Sequence, residues 1–204
     1  AVPDAAVPAV LAQARFPAGA VVAHTSGAVP LAIFEGYPEL RGGVFYPLQT
    51  FSAGWVVDWR TVPLCIEAAA PAAEALLLAL GRTLSANVRR MATPQRQGIH
   101  VAAVFACNFT NHLLGISHAL LQEQGLPLSL LTPLLHETVD KALAHPPFTV
   151  QTGPAARHDE PTLARHRMAL AAHPEWLILY NALSDSIQDA QTKVGPNNEG
   201  RETL

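Results

Sequence analysis

Two short runs of β-forming apolar residues, each ending in a polar turn, constrain this chain more than any other feature. Val21-Val22-Ala23 runs into His24-Thr25-Ser26-Gly27-Ala28, and Gly43-Val44-Phe45 runs into Tyr46-Pro47-Leu48-Gln49-Thr50-Phe51. In an open parallel α/β sheet ligands bind outside the carboxyl ends of the strands, so polar and Gly- or Pro-containing turns at that position are where chemistry is expected. The chain opens on Ala1-Val2-Pro3-Asp4, which reads as the end of a strand and its turn, and it contains no Gly-x-Gly-x-x-Gly between a strand and a helix. That motif places a pyrophosphate on a helix N-terminus, so a longer parent protein is expected.

Helical and extended patterns alternate up to about residue 92. Ala5 to Arg15 has helical spacing and Pro17 with Gly19 ends it before the first strand. Thr61 to Glu67 alternates as a strand, Pro71 opens an Ala- and Leu-rich helix to Leu80 with Gly81 closing it, and Asn87 to Met91 reads as a further strand. After a boundary near Met91 to Pro94 only helices are expected: Pro94 to about Gln124 with Gly125 as cap, Pro127 to about Leu143, Pro161 to near Ala172, and Pro174 through Leu183 to Gln188. Thr149 to Asp159 reads as a loop, and the polar residues from Thr192 on as a flexible tail. The expected fold is α/β followed by all-α: residues 1–92 the C-terminal portion of a Rossmann-type parallel sheet, 93–190 a helical domain and 191–204 a tail.

Composition excludes several functions. Half of the 204 residues are apolar and only 14% are charged. The surplus of helical Ala and Leu therefore points to burial between subunits and a homodimer. A net charge of −3, with scattered Lys and Arg, leaves no basic field for nucleic acid. The longest apolar candidate is interrupted by His100, Asn108, Asn111, His112 and His118, which argues against a membrane span. Cys65 and Cys107 sit in apolar surroundings, as suits reduced thiols of a cytoplasmic protein. His136, Glu137 and Asp140 share a helix, but no further ligand cluster accompanies them, so no metal site is expected. No Gly-x-Ser-x-Gly elbow is present and neither cysteine has a basic neighbour in sequence, which leaves nucleophilic catalysis without a signature.

Four segments in order resemble the Rossmann-like family whose C-terminal half is called domain of unknown function 2520. They are His24 to Ala28, Pro47 to Phe51, His100 to Asn108, and Thr152-Gly153-Pro154-Ala155-Ala156-Arg157-His158-Asp159 with Thr162 and His166. The family is similar to the 6-phosphogluconate dehydrogenase and pyrroline-carboxylate reductase superfamily. That resemblance implies a dinucleotide-binding domain, a helical domain that often dimerises, and a nicotinamide cofactor, NADP or NAD. It also implies that the first βαβ unit of the dinucleotide-binding domain is missing here. This sequence departs from the family pattern at Tyr46, where His is frequent, and at His158, where Gly is frequent.

On a helix, His100, Val104, Asn108, Asn111, Gly115 and His118 fall within a stripe of about 80°. Either these residues satisfy one another at a helix contact, or the upper part of the ribbon faces a cofactor cleft. His100 and Asn108 are the catalytic candidates. A histidine titrates near neutral pH and can exchange a proton with a carbonyl or alcohol, whereas the role of Asn108, holding substrate beside the nicotinamide, is implied by the resemblance. Arg157 suits a carboxylate or phosphate, so the small-molecule substrate is expected to carry an anionic group. Asp159 either pairs with Arg157 or caps the helix that begins near Pro161. Thr152 and Gln49 complete the substrate-binding set. His24, Thr25, Ser26, Gly27 and Pro47 are the cofactor-binding candidates, with turn and cap chemistry as their alternative. The expected function is hydride transfer to or from a small carbonyl or imine compound in a cleft between the two domains, and the alternative is a dinucleotide-sensing or dimerisation module without catalysis.

Overall fold

The structure, a computed structural model, describes residues 2–194, and the chain divides into two compact units between Asn111 and His112. In the first, helix α1 (Val7–Gln13) is followed by strands β1 (Val21–His24), β2 (Arg41–Pro47) and β3 (Leu64–Ala68), helix α2 (Pro71–Leu84) and strand β4 (Val88–Arg90). The strands lie side by side in the order β1-β2-β3-β4. β1 with β2 and β3 with β4 are parallel, as expected, but β2 with β3 is antiparallel, Tyr46 facing Cys65 and Pro47 facing Leu64. The sheet is therefore mixed. A parallel return normally requires a crossover helix; α2 supplies one between β3 and β4, whereas residues 48–63 contain none.

Each face of this sheet is sealed by its own apolar cluster. On one side Ile66, Leu77 and Leu78 pack with Val21, Ala23, Phe45 and Val88 beneath α2. On the other, Val44, Tyr46 and Cys65 pack with Leu31, Leu48 and Met91. Alternation along β2 explains the division, since Val44 and Tyr46 share a face that Phe45 does not. Helix α2 runs three residues past the expected end at Gly81, to Leu84. A Cβ at Gly81 would stand 3.1 Å from Val88 Cγ1, so this glycine permits close helix-to-strand packing rather than ending the helix. Ser85 takes over the stop: its hydroxyl donates to the Val62 carbonyl at 2.6 Å and accepts the Asn87 N–H at 2.9 Å.

A long helix begins at Thr93, close to the expected Pro94. It is α-helical over Thr93–Ala103 (α3), π-helical over Val104–Phe109, and α-helical again over Thr110–Glu123 (α4). Gly125 ends it in the expected way, with φ +67° and the Leu126 N–H donating to the Leu121 carbonyl at 2.9 Å. The helix spans 31 residues, and its most apolar 18-residue window has a mean hydropathy of 1.3. It meets the length and composition of a membrane-crossing helix, a measure that helices of proteins outside membranes also meet. The interrupting His and Asn residues are offset in that window by the surrounding Val, Ala, Phe, Leu and Ile.

The second unit contains α5 (Thr132–Ala144), α6 (Glu160–Ala169) and α7 (Pro174–Val194) in addition to most of α4. α5 starts later than expected because Leu128–Leu131 form a 3-10 turn first. α7 continues past the expected Gln188 to Val194, and the Gln191 side chain donates to the Phe148 carbonyl at 2.9 Å, so residues 191–194 are helix rather than tail. The rest of the expected tail lies outside the described residues. Among the described residues of this unit only Ala155, Leu163, Leu170 and Ser184 are buried, while Leu134, Leu143, Met168 and Ile178 are more than 60% exposed.

Candidate functional site

The turn after β1 is held from within. Ser26 donates its hydroxyl proton to Asp4 Oδ2 at 2.7 Å and accepts the N–H groups of Ala28 and Val29 at 3.0 Å each. His24 is buried and stacked on Phe34, and its Nδ1 accepts the Ser26 N–H at 3.2 Å. Burial first, and then the positive charge of Arg96, lowers the pKa of His24. The imidazole is thus a neutral structural group, and the Ser26 hydroxyl is occupied as a turn cap. Thr25 is exposed and Pro47 closes β2.

Arg96, on the first turns of α3, ties this turn to the helix. Its guanidinium is completely buried and donates from Nη1 to the carbonyls of Ser26 (2.8 Å) and Gly27 (3.0 Å), and from Nη2 to Thr93 Oγ1 (3.1 Å) and Glu67 Oε2 (3.3 Å). A buried cation requires such partners. Sequence reasoning passed over this arginine, which reads as an ordinary surface residue in a helix's opening turn. One turn further along α3, the His100 ring lies directly over Gly27: a Cβ there would stand 2.5 Å from His100 Nδ1 and 2.7 Å from Cγ. Gly27 therefore sets where the imidazole rests. That contribution is a missing side chain.

His100 opens onto a cavity of about 690 Å³ contained within the first unit. Tyr46 and the turn Leu48 to Ser52 form one wall; His100, Val104, Cys107, Asn108 and Asn111 form the other. The polar ribbon expected from helical spacing is real for His100, Val104, Asn108 and Asn111. The π-helical stretch Val104–Phe109 presents three of the lining residues, Val104, Cys107 and Asn108. π-Helical turns of this kind concentrate at functional sites. Gln49 also lines the cavity, its Oε1 held by the Thr50 N–H at 2.8 Å. Tyr46, which sequence reasoning recorded only as a departure from a family pattern, reaches His100: its hydroxyl lies 3.3 Å from Nδ1, with the two rings edge to face. Burial, reinforced by the neighbouring Cys65 and opposed by Arg96, raises its pKa. The signal in the sequence was its place at the end of a strand, next to the Pro47-Leu48-Gln49 turn.

No lining side chain carries a permanent charge. The Gln49 Nε2 and the amides of Asn108 and Asn111 make no hydrogen bond among the described residues. This donor and acceptor set fits the carboxamide and ribose end of a nicotinamide nucleotide. It offers nothing for a pyrophosphate.

The remaining candidates belong to the second unit. Asp159 caps α6, its side chain accepting the Thr162 N–H at 3.2 Å. Hydrogen bonding to Thr162 lowers its pKa. The cap alternative is therefore the one observed. Arg157 is exposed and makes no ion pair within 4 Å among the described residues; Thr152 is exposed beside Gly153, whose φ is +107°. His166 hydrogen-bonds Tyr180 at 2.9 Å.

Residues 62–187 match a family described as domain of unknown function (DUF2520). Among solved structures, the chain is similar to a candidate NADP oxidoreductase from Bacteroides fragilis. The two share 39% sequence identity at a TM-score of 0.86, over 92% of this chain and 73% of that one. A protein from Thermotoga maritima shares the fold at a TM-score of 0.71 and 20% identity, over 95% of this chain and 77% of that one. A comparison with the curated proteins returned no match.

Proposed function

Given that the chain belongs to the DUF2520 family, we propose that it works as an NAD(P)-dependent oxidoreductase on a small carbonyl or imine compound. One observation carries this reading: His100, Asn108 and Gln49, singled out from sequence for this chemistry, converge on a single cavity free of permanent charge. The cofactor named for the Bacteroides fragilis relative supports NADP over NAD.

A bound nicotinamide would supply or accept a hydride. The chain's own residues then have distinct tasks. Asn108 and Gln49 orient the carboxamide and the substrate heteroatom through hydrogen bonds. Leu48, Ala103 and Val104 keep water from the reacting carbon, and His100 takes part in moving the proton that accompanies hydride transfer.

Cys107 gives a direct test. It lines the cavity, whereas Cys65 is 1% exposed. Modification of the native full chain by a thiol reagent should therefore report Cys107, with Cys107→Ser as control. NADPH should slow that modification at least several-fold, and NADH less. If neither dinucleotide changes the rate, the cofactor reading fails.

A second proposal concerns the helical unit. Three buried apolar residues cannot form the core of a unit this size, so we propose that its apolar surface is covered by a second copy of the chain. Light scattering should give the mass of a dimer, and the double variant Leu134→Glu, Leu143→Glu should give that of a monomer. A monomeric parent chain would dispose of the idea.

A further inference from the structure

We propose that Tyr46 and His100 form a proton relay, in which the Tyr46 hydroxyl serves the acceptor atom in the cavity and His100 connects that hydroxyl to solvent. This rests on the oxidoreductase reading for the identity of the acceptor, a substrate oxygen or nitrogen, but its geometry stands on its own. Tyr46 is 8% exposed, His100 is half-buried, and both line the cavity, with His100 Nδ1 as the hydrogen-bond partner of the Tyr46 hydroxyl. The hydroxyl and Nδ1 are 3.3 Å apart. No Asp, Glu, Lys or Arg lines the cavity to compete for the role.

The protons balance as follows. The Tyr46 O–H bond breaks as a new O–H or N–H bond forms on the acceptor. The phenolate is reprotonated from Nδ1 of the His100 imidazolium, and the neutral imidazole then takes up a proton from water. Net, one solvent proton reaches the acceptor and both residues return to their starting states. The raised Tyr46 pKa keeps the hydroxyl protonated between turnovers. The assignment also gives Gly27 a purpose: any larger side chain would push the imidazole off the hydroxyl.

Exchange of the Tyr46 hydroxyl proton with solvent tests this without any substrate. In protein carrying 13C at tyrosine Cζ, dissolved in equal H2O and D2O, rapid exchange averages the two isotopic signals and slow exchange resolves them. Tyr46→Phe assigns the resonance. The parent chain should show one averaged signal for Tyr46. His100→Gln should resolve it into two, corresponding to exchange slowed at least tenfold. Gly27→Ala, which keeps the imidazole but displaces it, should do the same and covers the case in which His100→Gln fails to fold. Unchanged averaging in either folded variant overturns the relay. Cys107 protection by NADPH, measured on the same samples, reads the cofactor assignment separately: slowed exchange without protection leaves the relay standing and removes the oxidoreductase reading, and protection with unchanged exchange does the reverse.

Discussion

The two units of this chain solve the problem of burial in opposite ways. The sheet unit seals both faces of four short strands, with Leu64 and Ile66 fully inaccessible and a charged side chain, Arg96, at the same depth. The helical unit is longer in helix but hides almost nothing; α4 and α5 contain no buried residue at all. The difference shows that regular secondary structure and a core are separate achievements. Hydrogen bonds within a helix are satisfied by the helix itself, but apolar area leaves water only when another surface meets it.

That contrast can be broken most severely at Arg96. Arg96→Met removes the partner of Glu67 and leaves the carbonyls of Ser26 and Gly27 without their donor, so urea unfolding should show a loss of about 3–5 kcal/mol. A loss below about 1 kcal/mol would mean that the sheet unit does not depend on its buried cation. In the helical unit the comparable probe is Leu163, which is completely buried. Leu163→Ala should cost about 2–4 kcal/mol, and the thermal midpoint of this unit should rise with protein concentration while that of the sheet unit does not. Concentration-independent melting of both units would erase the distinction. The sheet unit should also respond to acid. His24 binds a proton less readily folded than unfolded, so stability is full above pH 6.5 and declines as the pH falls below it toward the lowered folded value. His24→Gln should flatten that part of a stability-against-pH curve. The smallest effect is expected at Asp159. Its lowered pKa means that the α6 cap holds above the ordinary carboxylate value of 3.8 and weakens only as the pH drops through the folded value below it. Asp159→Ala should abolish this dependence and fray the start of α6, as read by amide hydrogen exchange.

Much of the architecture was legible because proline and glycine mark it locally. Pro71, Pro94, Pro161 and Pro174 each stand in the opening turn of a helix, and Gly125 has the positive φ that a helix stop requires. The convergence of His100, Asn108 and Asn111 was legible too, from period alone. What escaped was non-local. The antiparallel pairing of β2 and β3 was hinted at by the helix-free stretch 48–63, but register emerges only when the strands meet. Gly81 looked like a stop because its contact with Val88 is invisible in sequence. The burial of Arg96 depends on carbonyls about 70 positions earlier, and so does the seat of His100 over Gly27. The Tyr46 partnership crosses 54 residues, and no periodicity along one element could have revealed it.

The π-helical stretch makes the cavity wall sensitive to length. A π turn carries one residue more than the α turn it replaces, so deleting a single residue between Val104 and Phe109 would let the wide turn close to α geometry and leave α4 in its present phase. Cys107 and Asn108 would lose the widened backbone that presents them to the cavity. Such a deletion would leave composition, helix content and hydropathy almost untouched and would still reshape that wall. Alignments of related chains should accordingly tolerate substitutions along this stretch far more readily than a change in its length.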